Sequence, residues 1–570
     1  MVIVPDSNII LLDCPLKLDE TNQITFASKT AQYNYFSSLT KLQVEDATYQ
    51  RKDGVIRFPT HTEANDDLPS FEDLLKYDYC MYQNNAFDDK WFYAYIKNIK
   101  YINDGMSEIS IETDVYQTWQ FDLVFKDSFI EREHVADDTV GLHTIPEGLE
   151  TGGYIINTAG EVTNKLGRLC YTIVAVTYVP DNTPMDNNQR LYNGITSGTI
   201  LLAFRNEEEV AKFIKCYDKM GRGDAISNIY MCPMAATGIS PDDDAAVWRT
   251  YTYGTGTDAI TTEFAIVPHS TGLQQLESNL TITNITSLNG YTPKNNKLKV
   301  FPYSFLSITN NTGTQIDFKY EDFVSNTPTF DVLASVTSGA QSAIIPKNYK
   351  LFNSVVGYDY FYNYSITGGK FPTCSWNTDP YTNWLTQNGV NIMGKVIDAP
   401  TSMAIGGSIE AVLGAGRITD INPKTGEQEL SGEGVGGIAG GLGKMFNAVQ
   451  ENWRHSLQSP TLQGLTSNGD FCYSDGKNTF TYYKMSIKAE YARIIDNFFS
   501  AYGYKVNRFG MPQISSRTNW NYIKTNGINI LGDIPDVDRK KLEAIFNKGC
   551  TFWHTTTYFL DYSRTNSIVS

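Results

Sequence analysis

Glu131-Arg132-Glu133-His134 sets two carboxylates beside an imidazole, the groups that general acid–base chemistry would use. Strand alternation places Glu131 and Glu133 on one face and Arg132 and His134 on the other, which predicts structural ion pairing rather than a shared catalytic role. The six histidines (His61, His134, His143, His269, His455 and His554) show no metal-ligand spacing. Asp242-Asp243-Asp244 lacks the spaced oxygens and turn glycine of a calcium loop and reads as solvated. Gly432-x-Gly434-x-x-Gly437 matches a dinucleotide fingerprint, yet no buried strand precedes it and no βαβ unit surrounds it. Arg222-Gly223-Asp224 follows directly on a helix end, where Gly and Asp are expected anyway. The eight cysteines are scattered without a C-x-x-C pair and read as reduced and mostly buried. No catalytic residue, cofactor or metal is therefore expected, and the chain reads as something other than an enzyme.

The elements around these residues are mainly strands. At 570 residues the chain exceeds what one core can fill, since cores stop growing near ~250–300 residues. Tyr 36, Phe 29 and Trp 8 form a heavy aromatic load that favours strands. Ile109, Ile111, Thr113 and Val115 alternate with polar residues as in a half-buried strand, and Tyr171 to Val179 is apolar on both faces, as in a central one. Three helices are marked. Asn206 caps one that carries Val210, Phe213, Ile214 and Tyr217 and ends at Gly221. A second carries Tyr491, Ile494, Ile495, Phe498, Phe499 and Tyr502 on one face and stops at Gly503. The third runs from Asp536 to Gly549 and buries Leu542, Ile545 and Phe546, with its cluster Arg539, Lys540, Lys541, Asp536, Asp538 and Glu543 reading as a solvated face. The fold class is mainly β (α+β): sandwich- or barrel-like domains with a few packing helices.

Composition shifts sharply once. Fourteen of the 44 glycines lie between Gly389 and Gly443, with few aromatics. Two apolar arms, Met403 to Ile418 and Val435 to Val449, flank a polar turn at Asn422-Pro423-Lys424-Thr425-Gly426, which predicts a long hairpin-like excursion. Glycines four apart (Gly432, Gly436, Gly440; Gly437, Gly441) would give a smooth strip for close helix contact if the arm is helical. The apolar positions are Met403, Ile405, Ile409, Val412, Leu413, Ile438, Leu442, Met445 and Phe446. The net charge of −17 excludes a long-lived grip on nucleic acid without a local basic patch, and no such patch is visible. The N-terminus lacks the pattern of a signal peptide, so synthesis in a cytosol is expected.

Several blocks resemble one family. They are Lys90-Trp91-Phe92-Tyr93-Ala94-Tyr95, Asp114-Val115-Tyr116-Gln117-Thr118-Trp119, Ser128 to Val135 and Glu147-Gly148-Leu149, then Lys488-Ala489-Glu490-Tyr491, Tyr502 to Arg508, Gly532-Asp533-Ile534, and Gly549 with Phe552-Trp553-His554-Thr555. In this order and spacing they resemble the tail knob, or distal tail-tube, proteins of picovirus-type short-tailed phages of Gram-positive bacteria. The Lys297 to Tyr303 stretch also fits, whereas Gly160 to Tyr291 shows only the strand-and-helix rhythm. The resemblance implies a virion tail subunit that forms a homo-hexameric ring with other tail proteins and lets double-stranded DNA pass without tight binding. It also implies apolar loops that plug the tube and act on the host cytoplasmic membrane, and the Gly389 to Gly443 segment lies where those would be. The expected organisation is a discontinuous tube domain of 1–158 plus 470–570, a β-rich region of 159–388 and the apolar loop 389–469. The alternative reading is an adhesin module that binds cell-wall glycan through aromatics such as Trp376, Tyr381 and Trp384.

Overall fold

The computed structural model describes residues 7–376 apart from 48–49, 61–67, 85–89, 165–169, 180–189, 241, 244–246, 339–340, 348, 350–363 and 370–372, then residues 479–569. Between these it describes the strands Asp420–Ile421, Gln428–Glu429 and Gly464–Ser467. The architecture is mainly β, as the composition predicts. The chain forms two compact units, one of Met1–Glu150, Pro293–Lys297 and Arg493–Ser570, the other of Thr151–Thr292 and Leu298–Ala492.

In the first unit, a six-stranded antiparallel sheet runs in the order Lys41–Ala47, Ser7–Leu12, Tyr79–Asn84, Trp91–Asn103, Met106–Thr113 and Val55–Pro59. Its central strands are buried on both faces. Ile9, Leu11, Tyr82 and Phe92 pack on one side, while Ile10, Leu12, Tyr79 and Tyr93 pack with Phe36 of the helix Lys29–Ser38 on the other. The strand predicted around Ile109 alternates as expected through Thr113. It ends there, and Val115 belongs instead to the helix Val115–Trp119, because the Asp114 carboxylate accepts the Gln117 N–H at 3.0 Å and caps a new turn.

A five-stranded sheet of this unit runs Asn22–Ile24, Cys550–Trp553, Trp520–Thr525, Ser128–Glu133 and Tyr504–Gly510, so N- and C-terminal segments meet within it. Leu542, Ile545 and Phe546 of the helix Asp536–Lys548 pack against Ile523 and Phe552, as their spacing predicts. Its charged cluster is not wholly solvated. Asp538 is fully buried, pairs with Lys52 and accepts the Trp119 indole N–H at 2.9 Å.

In the second unit, a seven-stranded sheet places Cys170–Val176 at its centre, as the doubly apolar run predicts. The helix Glu207–Lys219 covers one face. Asn206 accepts the Glu209 N–H at 2.9 Å, and Val210, Phe213, Ile214 and Tyr217 are fully buried against Val174, Leu202 and Phe264. Each such side chain contributes about 1.5–3 kcal/mol by leaving water. Thr373–Trp376 and Gly464–Ser467 form the last two strands of this sheet, with Trp376 opposite Gly464. Two four-stranded sheets share the core on the other face. The helix Ala489–Tyr502, which belongs to the first unit from Arg493 onward, ends at Gly503 as predicted. Its buried face is narrower than its apolar residues suggested: Ile495 and Phe499 are buried with Ala492 and Asp496, but Ile494 is 67% exposed and Tyr502 39%.

Candidate functional site

Within the strand Ser128–Glu133, the charged residues singled out from the sequence are committed to partners. Glu131 pairs with Lys524 at 2.9 Å, Arg132 with Glu147, and Glu133 with Arg508. His134 has both ring nitrogens engaged: Nδ1 accepts the Tyr522 N–H at 2.8 Å, and Nε2 donates to the Ser500 carbonyl at 3.1 Å. Burial, with the Arg517 guanidinium nearby, pushes His134 down to about 3. It is a neutral structural imidazole with no lone pair left to act as a base, so the run serves the ion pairing expected of it.

Glu147, whose side chain is fully buried, organises a larger cluster that sequence reasoning missed. Its carboxylate receives Arg132, the Lys297 ammonium and the Lys505 N–H, the last at 2.9 Å. Lys297 is only 2% exposed at its side chain. Burial pulls its pKa below the usual lysine range while Glu147 opposes that shift. Two further carboxylates hold the same stretch: Asp138 accepts the Asn296 N–H at 3.0 Å and the Tyr504 hydroxyl at 2.7 Å. Asp496 accepts the N–H groups of Lys294 at 2.7 Å and Asn295 at 3.0 Å. Three acids, two from the stretch 138–147 and one from the helix Ala489–Tyr502, thus clasp residues 294–297 into the first unit. The only sequence signal was the block at Glu147, and nothing in it specified Lys297.

The outer strand Tyr504–Gly510 pairs on one side with Ser128–Glu133, and among the described residues no strand pairs with its other side. Phe509 on this edge is 73% exposed, with Phe129 opposite it at 38% and Met511 just beyond at 59%. Soluble folds usually protect such edges with charge, proline or a covering segment. Gly503 sets where this strand begins, at φ +64°, and a Cβ there would overlap the Glu133 carbonyl.

Among the remaining candidates, Asp243 accepts the Ser240 N–H at 2.7 Å in a turn. Arg222 follows the end of its helix and stacks on Tyr178 at 5.1 Å. Among the described residues no cluster of His, Cys, Asp and Glu could hold a metal. The apolar-loop positions from Met403 to Phe446, including Gly432, Gly436, Gly437, Gly440 and Gly441, lie outside the described residues, as do Tyr381 and Trp384. Between the two arms, Asp420 pairs with Glu429 and Ile421 with Gln428 in an antiparallel ladder.

A family model for the C-terminal domain of the Bacillus phage phi29 tail knob protein gp9 matches residues 270–567, more than half of the chain. The chain belongs to that tail knob family. A second model, the caudoviral major tail protein N-terminus, matches residues 6–124 of this tail knob chain. The tail knob protein gp9 of Bacillus phage PZA is 27% identical, with 96% of each chain covered. Those of phages phi29 and B103 are each 25% identical over 96% and 98% of both chains. The bacteriophage C1 tail knob protein gp12 superposes with a TM-score of 0.63 at 14% identity, covering 99% of this chain and 100% of that one, a likeness of fold. This tail knob chain is accordingly a structural phage tail protein and not an enzyme.

Proposed function

We propose that copies of this chain, six as the family resemblance implies, assemble into a ring that extends the phage tail as a conduit for double-stranded DNA. The observation that carries this reading is the open edge Tyr504–Gly510, with Phe509 and Met511 exposed beside Phe129. Adding a strand from a neighbouring copy would satisfy the free backbone groups and cover the aromatic pair. The net charge of −17 favours sliding, because an acidic wall repels phosphate. In this reading residues 1–158 and 470–570 form the tube, 159–388 a second β-rich region, and 389–469 the loop. That loop plugs the tube and meets the cytoplasmic membrane during ejection, several copies sharing the requirement that backbone groups in lipid be satisfied internally.

Native mass spectrometry tests the ring: the intact chain should form a closed oligomer, and Phe509→Asp should leave folded monomers. A monomeric parent, or rings undiminished by the substitution, would overturn the proposal. For the loop, the protein should release dye from liposomes, more so at acidic pH where Glu410, Glu427, Glu429 and Glu433 lose charge. Deleting residues 390–459 should abolish leakage and spare the ring, whereas liposomes that stay intact throughout would leave only the tube.

A further inference from the structure

Within the first unit, a cavity of about 570 Å³ opens between residues 137–139, the clasped peptide 294–296 and the C-terminal stretch 564–568. Arg517 lines it, with only 9% of its surface exposed. The backbone around it is fixed, since its own N–H donates to Asn521 at 3.0 Å and Val569 donates to the Ser516 carbonyl at 2.9 Å. The guanidinium is not comparably satisfied. One terminal nitrogen reaches the Asn566 carbonyl only at 3.4 Å, and Nε is buried with no hydrogen-bond partner. Among the described residues no carboxylate forms an ion pair with it. Asp138 accepts from Asn296 and Tyr504, and Asp137 accepts the N–H and hydroxyl of Thr139 at 2.9 and 2.6 Å.

A buried guanidinium so thinly satisfied is costly, and burial lowers the pKa of Arg517 while the Asp138 charge opposes that shift. A guanidinium edge can grip two oxygens of an oxyanion at once. Lys294 and Arg564 line the same cavity; Arg564 is paired with Asp561 at 3.0 Å, so Lys294 is the second cation whose charge the cavity can use. The volume falls in the range of small-molecule sites, well above that of a bare ion.

The geometry points to an oxyanion site in which Arg517 binds the phosphate group of a small organic phosphate, with Lys294 adding charge at its mouth. Asp137 and Asp138 disfavour a second negative group, so a singly phosphorylated ligand fits better than a polyanion.

Titration calorimetry of the full chain with glycerol 3-phosphate tests the site, with inorganic phosphate and acetate in parallel. Glycerol 3-phosphate should bind, acetate at least tenfold more weakly, and Arg517→Met should weaken binding at least tenfold while near-ultraviolet dichroism shows the fold intact. Should Arg517→Met unfold, Lys294→Gln supplies the second test: its side chain is exposed, and affinity should fall several-fold with a shallower salt dependence. Equal affinity for inorganic phosphate would sustain the oxyanion site and assign it to free phosphate. No binding of either phosphate, or affinity unchanged in both variants, would overturn the inference.

Discussion

Replacing Glu147 by Gln isolates what the buried clasp contributes. The substitution keeps the volume but removes the charge that meets Arg132 and Lys297, whose side chains are 14% and 2% exposed. Removing one partner from a buried ion pair costs about 3–5 kcal/mol, mainly because the other charge remains buried without compensation. Lys297, with almost no access to water, should carry most of that penalty. It can escape only by losing its proton, and burial already depresses its pKa. The sign follows from linkage: where the folded pKa lies below the unfolded one, the unfolded state binds more protons and stability rises with pH across that interval. The deficit of Glu147→Gln against the parent should therefore be largest near pH 7 and should narrow as pH rises towards the ordinary lysine value. Hydrogen exchange of the strands Ser128–Glu133 and Tyr504–Gly510, followed across that range, reports the local opening free energy. The double variant Glu147→Gln with Lys297→Met should recover much of the loss, since an apolar side chain needs no counter-charge. A deficit below about 1 kcal/mol, or one that does not change with pH, would refute this account of the clasp.

Asp538→Ala should cost about 3 kcal/mol or more by stranding Lys52 and the Trp119 indole, with Asp538→Asn milder because its amide oxygen still accepts from Trp119; urea unfolding followed by tryptophan fluorescence measures both. Gly503→Ala should exceed the roughly 1 kcal/mol that a left-handed backbone costs an alanine, because the new Cβ also meets the Glu133 carbonyl; thermal unfolding or loss of soluble yield would show it. His134, held neutral down to about 3, contributes stability that is fully present above the ordinary histidine pKa and is lost as pH falls towards 3. The parent should accordingly lose stability faster than His134→Gln between pH 6.5 and 4, and parallel curves would contradict the assignment.

Local structure was legible wherever a pattern repeats along one element. The helix capped by Asn206 and the strand Cys170–Val176 follow from spacing alone, because the physics that forms them acts over a few residues. What spacing does not reveal is which distant group a polar residue meets. Asp496 lies on the buried face of its helix because amides of Lys294 and Asn295, about 200 positions away, fill its oxygens. Asp538 is buried for the same reason, although its neighbours Arg539 and Lys540 make the segment read as solvated. Ile494 shows the converse: its position at helical spacing suggested burial, but Ala492, Ile495 and Phe499 already fill the core-facing side. The candidate acid–base run was readable as ion pairing, whereas Glu147 carried no mark of its two cationic partners.

The pairing of Trp376 with Gly464 holds the two ends of an 87-residue intervening segment side by side in one antiparallel ladder. Because its anchor points are already adjacent, lengthening that segment costs the host sheet only about 0.6 kcal/mol per doubling of length. The sheet is therefore nearly indifferent to how much chain it carries at this edge. Related phages could diversify the insertion in sequence and size with little penalty to the fold, and an experimenter could exchange it for a short turn or a foreign domain at the same two strands.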